Sequence, residues 1–233
     1  MIDKIKKEFE RFTAKLSDRL FKTTKFDLFQ RKYSNIYDNK YIFLENQYSF
    51  VHVPRTGGTT VHNFLLKNSK NFFGGVHSAV SLSCNPNKFK YITIIRDPID
   101  RVYSFYLIQK KFKKLPFHLH ANEGLEYFLM NVWSVRNGMC KFINGNLNLD
   151  LNEKLFEISN INLKNFYFVI DFNDLESELK ILSKKLNIQA ADIEYKNNYI
   201  TQKEKLEKNN IELISKYNQF DIKLYKEFLN SKS

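Results

Sequence analysis

The stretch Tyr48-Ser-Phe-Val-His-Val-Pro-Arg-Thr-Gly-Gly-Thr-Thr60 decides the fold. Its first six residues alternate and are β-rich, which predicts a strand. Pro54 ends it, because proline has no amide proton to give a ladder. Gly57 and Gly58 then form a turn, and Thr59 to Lys67 reads as a helix opening on two threonines. Consecutive glycines let a backbone approach an anion closely, and a helix N-terminus offers unpaired N–H groups and a favourable dipole. Arg55 adds positive charge, and Thr59 and Thr60 add hydroxyl donors. Pro54, Arg55, Thr56, Gly57, Gly58, Thr59 and Thr60 are therefore a candidate phosphate cradle. A Gly-Gly turn also serves merely to reverse a chain, so the loop alone names no ligand. The nucleotide-triphosphatase pattern G-x-x-x-x-G-K-[ST] is absent, together with its lysine.

Working outward, Tyr91-Ile-Thr-Ile-Ile95 is almost wholly apolar, as suits the buried centre of a parallel sheet. Asp97 reads as an N-cap and Pro98 as the first residue of a helix reaching about Lys111. A third strand is predicted over Phe166-Tyr-Phe-Val-Ile170. After it, a helix from about Leu175 to Leu186 carries Leu175, Leu179, Leu182 and Leu186 on one face. Strands alternating with helices predict a parallel α/β sheet with right-handed crossovers. Residues 121–160 read as helical and irregular, and 203–229 as two terminal helices. Residues 1–44 form a basic, amphipathic helical arm, with Ile2, Ile5, Phe9, Phe12, Leu16 and Leu20 on one stripe. That arm packs on its own domain, or serves peripheral membrane contact or dimerisation. The remainder, 45–233, is one domain.

In open parallel sheets, ligands bind beyond the carboxyl ends of the strands. The second strand leaves in Arg96-Asp-Pro-Ile-Asp-Arg-Val-Tyr-Ser104, where Arg96 and Ser104 can converge on one anion. An arginine at a strand end serves equally well as a salt-bridge partner. Lys110, Lys111, Lys113 and Lys114 follow, with His118 and His120 close behind. They read as a solvated face, or as a contact region for an anionic acceptor.

Size and composition bound the rest. A chain of 233 residues, 43% hydrophobic and 27% charged, is that of an ordinary globular protein. Its net charge of +12 favours anionic partners. Cys84 and Cys140 show no metal-ligand spacing and read as free thiols or one disulfide. No stretch approaches the length of a membrane span, no apolar signal core opens the chain, and no nucleic-acid-binding motif is recognisable. The expected location is cytoplasmic.

Taken together, Val51-His-Val-Pro-Arg-Thr-Gly-Gly-Thr-Thr60 and Arg96 to Ser104 resemble the sulfotransferases that use PAPS (3′-phosphoadenosine 5′-phosphosulfate). The resemblance is strongest to the carbohydrate branch, which includes the heparan sulfate 2-O- and 6-O-sulfotransferases and bacterial relatives. That family carries a P-K-T-G-G-T-[ST] loop and, later, an R-D-P-x-x-R-x-x-S segment. The resemblance continues weakly through Arg136-Asn137, the strand at 166–170 and Asp221-Ile-Lys-Leu-Tyr225, so it covers about residues 45–230.

The resemblance implies a three-layer α/β/α domain with a short central parallel sheet, related to the phosphate-loop nucleotide-binding proteins. It implies that loop 54–60 holds the donor's 5′-phosphosulfate, that Arg96 and Ser104 hold its 3′-phosphate, and that no metal takes part. The product would be PAP (3′-phosphoadenosine 5′-phosphate), and the acceptor a hydroxyl, on a carbohydrate by analogy. Related enzymes place a catalytic histidine in a G-x-H-[SA] segment, which Gly75-Val-His77-Ser78 matches. His77 is thus the expected base, with Glu123 as a carboxylate alternative; His52 and His62 read as structural. Arg55 stands where the family usually has a lysine beside the departing oxygen. Arginine carries the same charge in a wider planar fork, which bears on transfer more than on donor binding. The competing readings are an ATP-dependent phosphotransferase and a non-catalytic module that holds PAPS or glycan.

Overall fold

A computed structural model describes residues 48–68, 72–73, 79–80, 90–147, 149–188 and 206–232. The predicted arm at 1–44, Cys84 and His77 lie outside the described residues.

Four strands form one parallel sheet: β1 (Tyr48–Val51), β2 (Phe72–Phe73), β3 (Lys90–Ile95) and β4 (Phe168–Asp171), in the order β2-β1-β3-β4. Val51 pairs with Thr93 and Ile95 with Asp171, so β1, β3 and β4 end at nearly the same level. From β1 the chain passes through α1 (Gly58–Asn68) to β2 at one edge. From β3 it passes through α2 (Pro98–Lys111), α3 (His118–Asn122), α4 (Leu125–Asn131), α5 (Gly138–Asn144) and α6 (Glu153–Asn165) to β4 at the opposite edge. The connections leaving β1 and β3 therefore diverge, and two neighbouring strands whose connections diverge leave a crevice between them. Both sequence motifs sit at that crevice.

Side chains on the strands alternate between two apolar cores, as a period of two requires. Phe50, Ile92, Ile94 and Ile170 pack with Val61, Phe64 and Leu65 of α1 and with Leu175, Leu179 and Leu182 of α7 (Leu175–Leu186). On the other face, Val51, Val53, Tyr91 and Ile95 pack with α5, α6 and α9 (Gln219–Lys232), through Met139, Phe142, Phe156 and Phe228 among others. Helices thus cover both faces, consistent with a three-layer α/β/α arrangement. A third core, built from α2, α3, α4 and α8 (Lys208–Tyr217), is centred on Phe105, Phe128 and Ile214.

The local chemistry follows the sequence closely where its signals are strong. The Asp97 carboxylate accepts from Ile99 N at 2.9 Å and Asp100 N at 3.0 Å, with Pro98 in the first turn, so α2 starts where predicted. Leu179 and Leu182 of α7 are wholly buried, each contributing about 1.5–3 kcal/mol. One boundary moves. The strand expected over 166–170 occupies Phe168–Asp171, because α6 runs to Asn165 and Phe166 N still bonds to Leu163 O at 3.3 Å. The stretch 121–160 resolves into the end of α3, α4, a 3₁₀ turn at Trp133–Val135, α5 and most of α6. Among the described residues, no helix is long and apolar enough to cross a membrane.

Candidate functional site

The loop after β1 is shaped by positions that need unusual backbone or no side chain. Arg55 has φ 68° and Gly57 has φ 90°. A Cβ on Gly57 would sit 2.8 Å from the Phe172 ring, and one on Gly58 would sit 2.2 Å from the His52 ring. Glycine is required at 57 by both its torsion and its neighbour, and at 58 by close packing. Thr56 is buried and its hydroxyl donates to Val53 O at 2.9 Å, tying the loop back to the end of β1. Thr59 is exposed at the head of α1 and Thr60 is buried behind it. The first N–H groups of a helix lack acceptors within it, so this turn meets the crevice with donors.

The second motif reaches the same place. Arg55 Nη2 donates to Ser104 Oγ at 3.1 Å, across 49 residues of sequence. Arg96 Nη1 donates to the carbonyl of Arg55 at 3.3 Å. The Arg96 guanidinium lies 4.4 Å from the centre of the Phe172 ring, a stacking that orders the cation without neutralising it. The Nε atoms of Arg55 and Arg96 are both buried and have no hydrogen-bond partner among the described residues. Burial lowers the pKa of Arg55, and the like charge of Arg96 lowers it further. Burial lowers that of Arg96 too, against the opposing pull of Asp100 and Asp97. Two guanidiniums held in a partly desolvated corner are poised for an anion.

These groups open onto a cavity of about 920 Å³, a size suited to a nucleotide-scale ligand. The loop and Arg96 form one wall. Gln109 and Phe117 contribute another, Trp133 and Ser134 a third, and the segment from Phe172 to Lys180 a fourth. Every sequence-predicted anion-binding residue that lines it is thus near the same crevice: Pro54, Arg55, Gly57, Gly58, Thr59, Thr60 and Arg96. Thr56 instead stabilises the loop from behind, and Ser104 joins through Arg55.

The other histidines separate by their neighbours. His52 is buried, lines the cavity and stacks 6.3 Å from His62. His118 Nδ1 lies 2.9 Å from Gln109 O, holding α3 to α2, and its Nε2 lies 2.9 Å from Asn122 Nδ2 within α3, so both ring nitrogens are used. Glu123 is exposed just past α3 and is not among the residues lining the cavity. Lys110, Lys111, Lys113 and Lys114 are exposed between the cavity-lining pairs Ile108–Gln109 and Leu115–Pro116.

Arg101, the other arginine of the second motif, serves the fold. It is fully buried, pairs with Asp221 at 3.2 Å and donates to Val135 O at 3.0 Å and Ser134 O at 3.4 Å. Asp221 also accepts from Met139 N and Cys140 N, both at 2.9 Å. The segment carrying Trp133 and Ser134 is therefore pinned from behind by α2 and α9 together. Cys140 is a free, buried thiol whose pKa burial pushes well up.

Sequence reasoning missed Phe172, Gln109 and Trp133 as site residues. For Phe172 a signal existed, since it follows the last residue of β4 and strand ends are where ligands bind. No protein-family model matches this chain, and no curated protein matches it.

Proposed function

We propose that this chain binds PAPS and transfers its sulfuryl group to an acceptor hydroxyl on a carbohydrate. The observation that carries the reading is the contact between Arg55 and Ser104, which joins loop 54–60 to the 96–104 segment at the crevice of a parallel sheet. In this reading the backbone and threonines of the loop hold the 5′-phosphosulfate. Arg96 and Ser104 hold the 3′-phosphate. The fold is of the phosphate-loop nucleotide-binding type, and the enzyme is cytoplasmic.

The transfer is an in-line displacement. The acceptor oxygen bonds to sulfur, the bond from sulfur to the bridging oxygen breaks, and PAP leaves carrying the electron pair. His77 takes the acceptor's proton. Positive charge from Arg55 and the loop's N–H groups opposes the charge building on the leaving phosphate. Metal is not needed for this step, because fixed cations and a helix N-terminus supply the compensation.

A transfer assay with labelled PAPS and a panel of glycans tests the reading, alongside calorimetry with PAP and 5′-AMP. Sulfated product, with PAP bound more tightly than 5′-AMP, is the expected result. Label transfer from ATP in the presence of magnesium would establish a phosphotransferase instead. Loss of turnover in His77→Ala with PAP affinity retained is expected; retained turnover would move the base elsewhere.

A second reading, a donor-binding module without turnover, draws support from one observation. The Arg55 guanidinium is engaged with Ser104. PAP affinity without transfer to any acceptor would establish it.

A further inference from the structure

We infer that Arg55 is a specificity-determining residue whose guanidinium, with Arg96 and Ser104, forms one subsite for a terminal phosphate dianion. The inference rests on the donor-binding reading above, and reassigns the side chain of Arg55 within it. The backbone of Arg55 belongs to the loop, but its side chain crosses to α2 and donates through Nη2 to Ser104 Oγ at 3.1 Å. A serine hydroxyl that accepts from an arginine keeps its own proton to donate. A phosphate oxygen bonded to Ser104 is then within reach of the same guanidinium.

Arg96 completes the subsite. Its Nη1 holds the Arg55 carbonyl at 3.3 Å, so the two arginines are coupled through the backbone of residue 55. Each keeps a buried Nε without a hydrogen-bond partner among the described residues. Neither forms an ion pair with a carboxylate there. Arg55 on the hydroxyl and Arg96 on the adjoining carbonyl place two guanidiniums side by side, which suits a phosphate monoester with two charges better than a diester or sulfate with one. A lysine at position 55 would present one compact ammonium in place of a planar fork, and could not hold Ser104 and a ligand in fixed geometry together.

The test is calorimetry on the full chain with PAP and 5′-AMP, for wild type, Arg55→Lys, Ser104→Ala and the double variant. Arg55→Lys should weaken PAP at least tenfold and 5′-AMP by less than threefold, with an unchanged unfolding midpoint. On the Ser104→Ala background, the same change should cost less PAP affinity than on wild type. Equal weakening of both nucleotides would return Arg55 to the loop and overturn the inference. So would equal costs on the two backgrounds, or no loss at all. Wild type binding PAP no better than 5′-AMP would remove the donor reading itself, and the inference with it.

Discussion

Arg101 follows Arg96 by one helical turn or so in the same motif, and Arg55 stands in the other, yet Arg101 and the Arg55–Arg96 pair do opposite things with the same functional group. Arg101 is wholly buried, and its guanidinium meets a carboxylate and two backbone carbonyls. Arg55 and Arg96 are half-buried beside a cavity and meet one hydroxyl and one carbonyl, with no carboxylate ion-paired to either among the described residues. A buried charge is tolerable only when paired and hydrogen-bonded, so the first arrangement is one of structure. The second leaves two guanidiniums without an ion-paired carboxylate where a ligand can reach them, with Asp97 and Asp100 acting on Arg96 only from nearby. Burial of an arginine therefore does not by itself mark a site; the missing carboxylate does.

The sharpest way to break this contrast is to remove the carboxylate. Asp221→Ala would strand Arg101 and two N–H groups at Met139 and Cys140, so a loss of about 3–5 kcal/mol is expected in denaturant unfolding. A loss under 1 kcal/mol would mean that Arg101 is no more structural than its neighbours. Arg96→Ala should behave inversely. Unfolding should shift by less than about 1 kcal/mol, while PAP affinity falls by about 1.5–3 kcal/mol, the worth of a hydrogen bond to a charged group.

Two smaller changes sharpen the picture of the loop. Gly58→Ala places a methyl against the buried His52 ring and should cost about 1–3 kcal/mol of stability as strand end and helix start are forced apart. Asp97→Ala removes the cap on Ile99 N and Asp100 N. It should cost about 1 kcal/mol in thermal unfolding, and it also removes a negative charge that acts on Arg96.

Alkaline titration separates the two regions in another way. Burial raises the Cys140 thiol above its usual 9.0, so the folded state holds that proton more tightly than the unfolded chain. Stability from this source is complete below pH 9.0 and falls as pH rises beyond it. Cys140→Ala should flatten that limb in unfolding measured against pH, and a limb of unchanged slope would assign it to another group.

What the sequence made legible follows from how local each signal is. The apolar run at 91–95, the Asp97-Pro98 helix start and the leucine spacing of 175–186 are contained within a few residues, and they appear in the structure where expected. The strand before Phe172 begins two residues and ends one residue later than expected, because α6 extends to Asn165 and is capped at Phe166. Phe172 was missed because an aromatic at a strand end resembles core until Arg96 is seen above it. Arg101 could not be told from Arg96 by pattern at all. Its partner lies 120 residues away, and no local spacing reports that distance.

That separation has a consequence for how the molecule is made. At about 5–20 residues per second, a ribosome takes roughly 6–24 s to add the 120 residues between Arg101 and Asp221. Throughout that interval the nascent chain carries a cation destined for its interior with no counter-ion yet synthesised. The sheet and its crevice can form early, but the wall bearing Trp133 and Ser134 waits for α9 to emerge. Under the proposed function, donor binding should thus appear late in synthesis, after the strands beside the crevice have already paired.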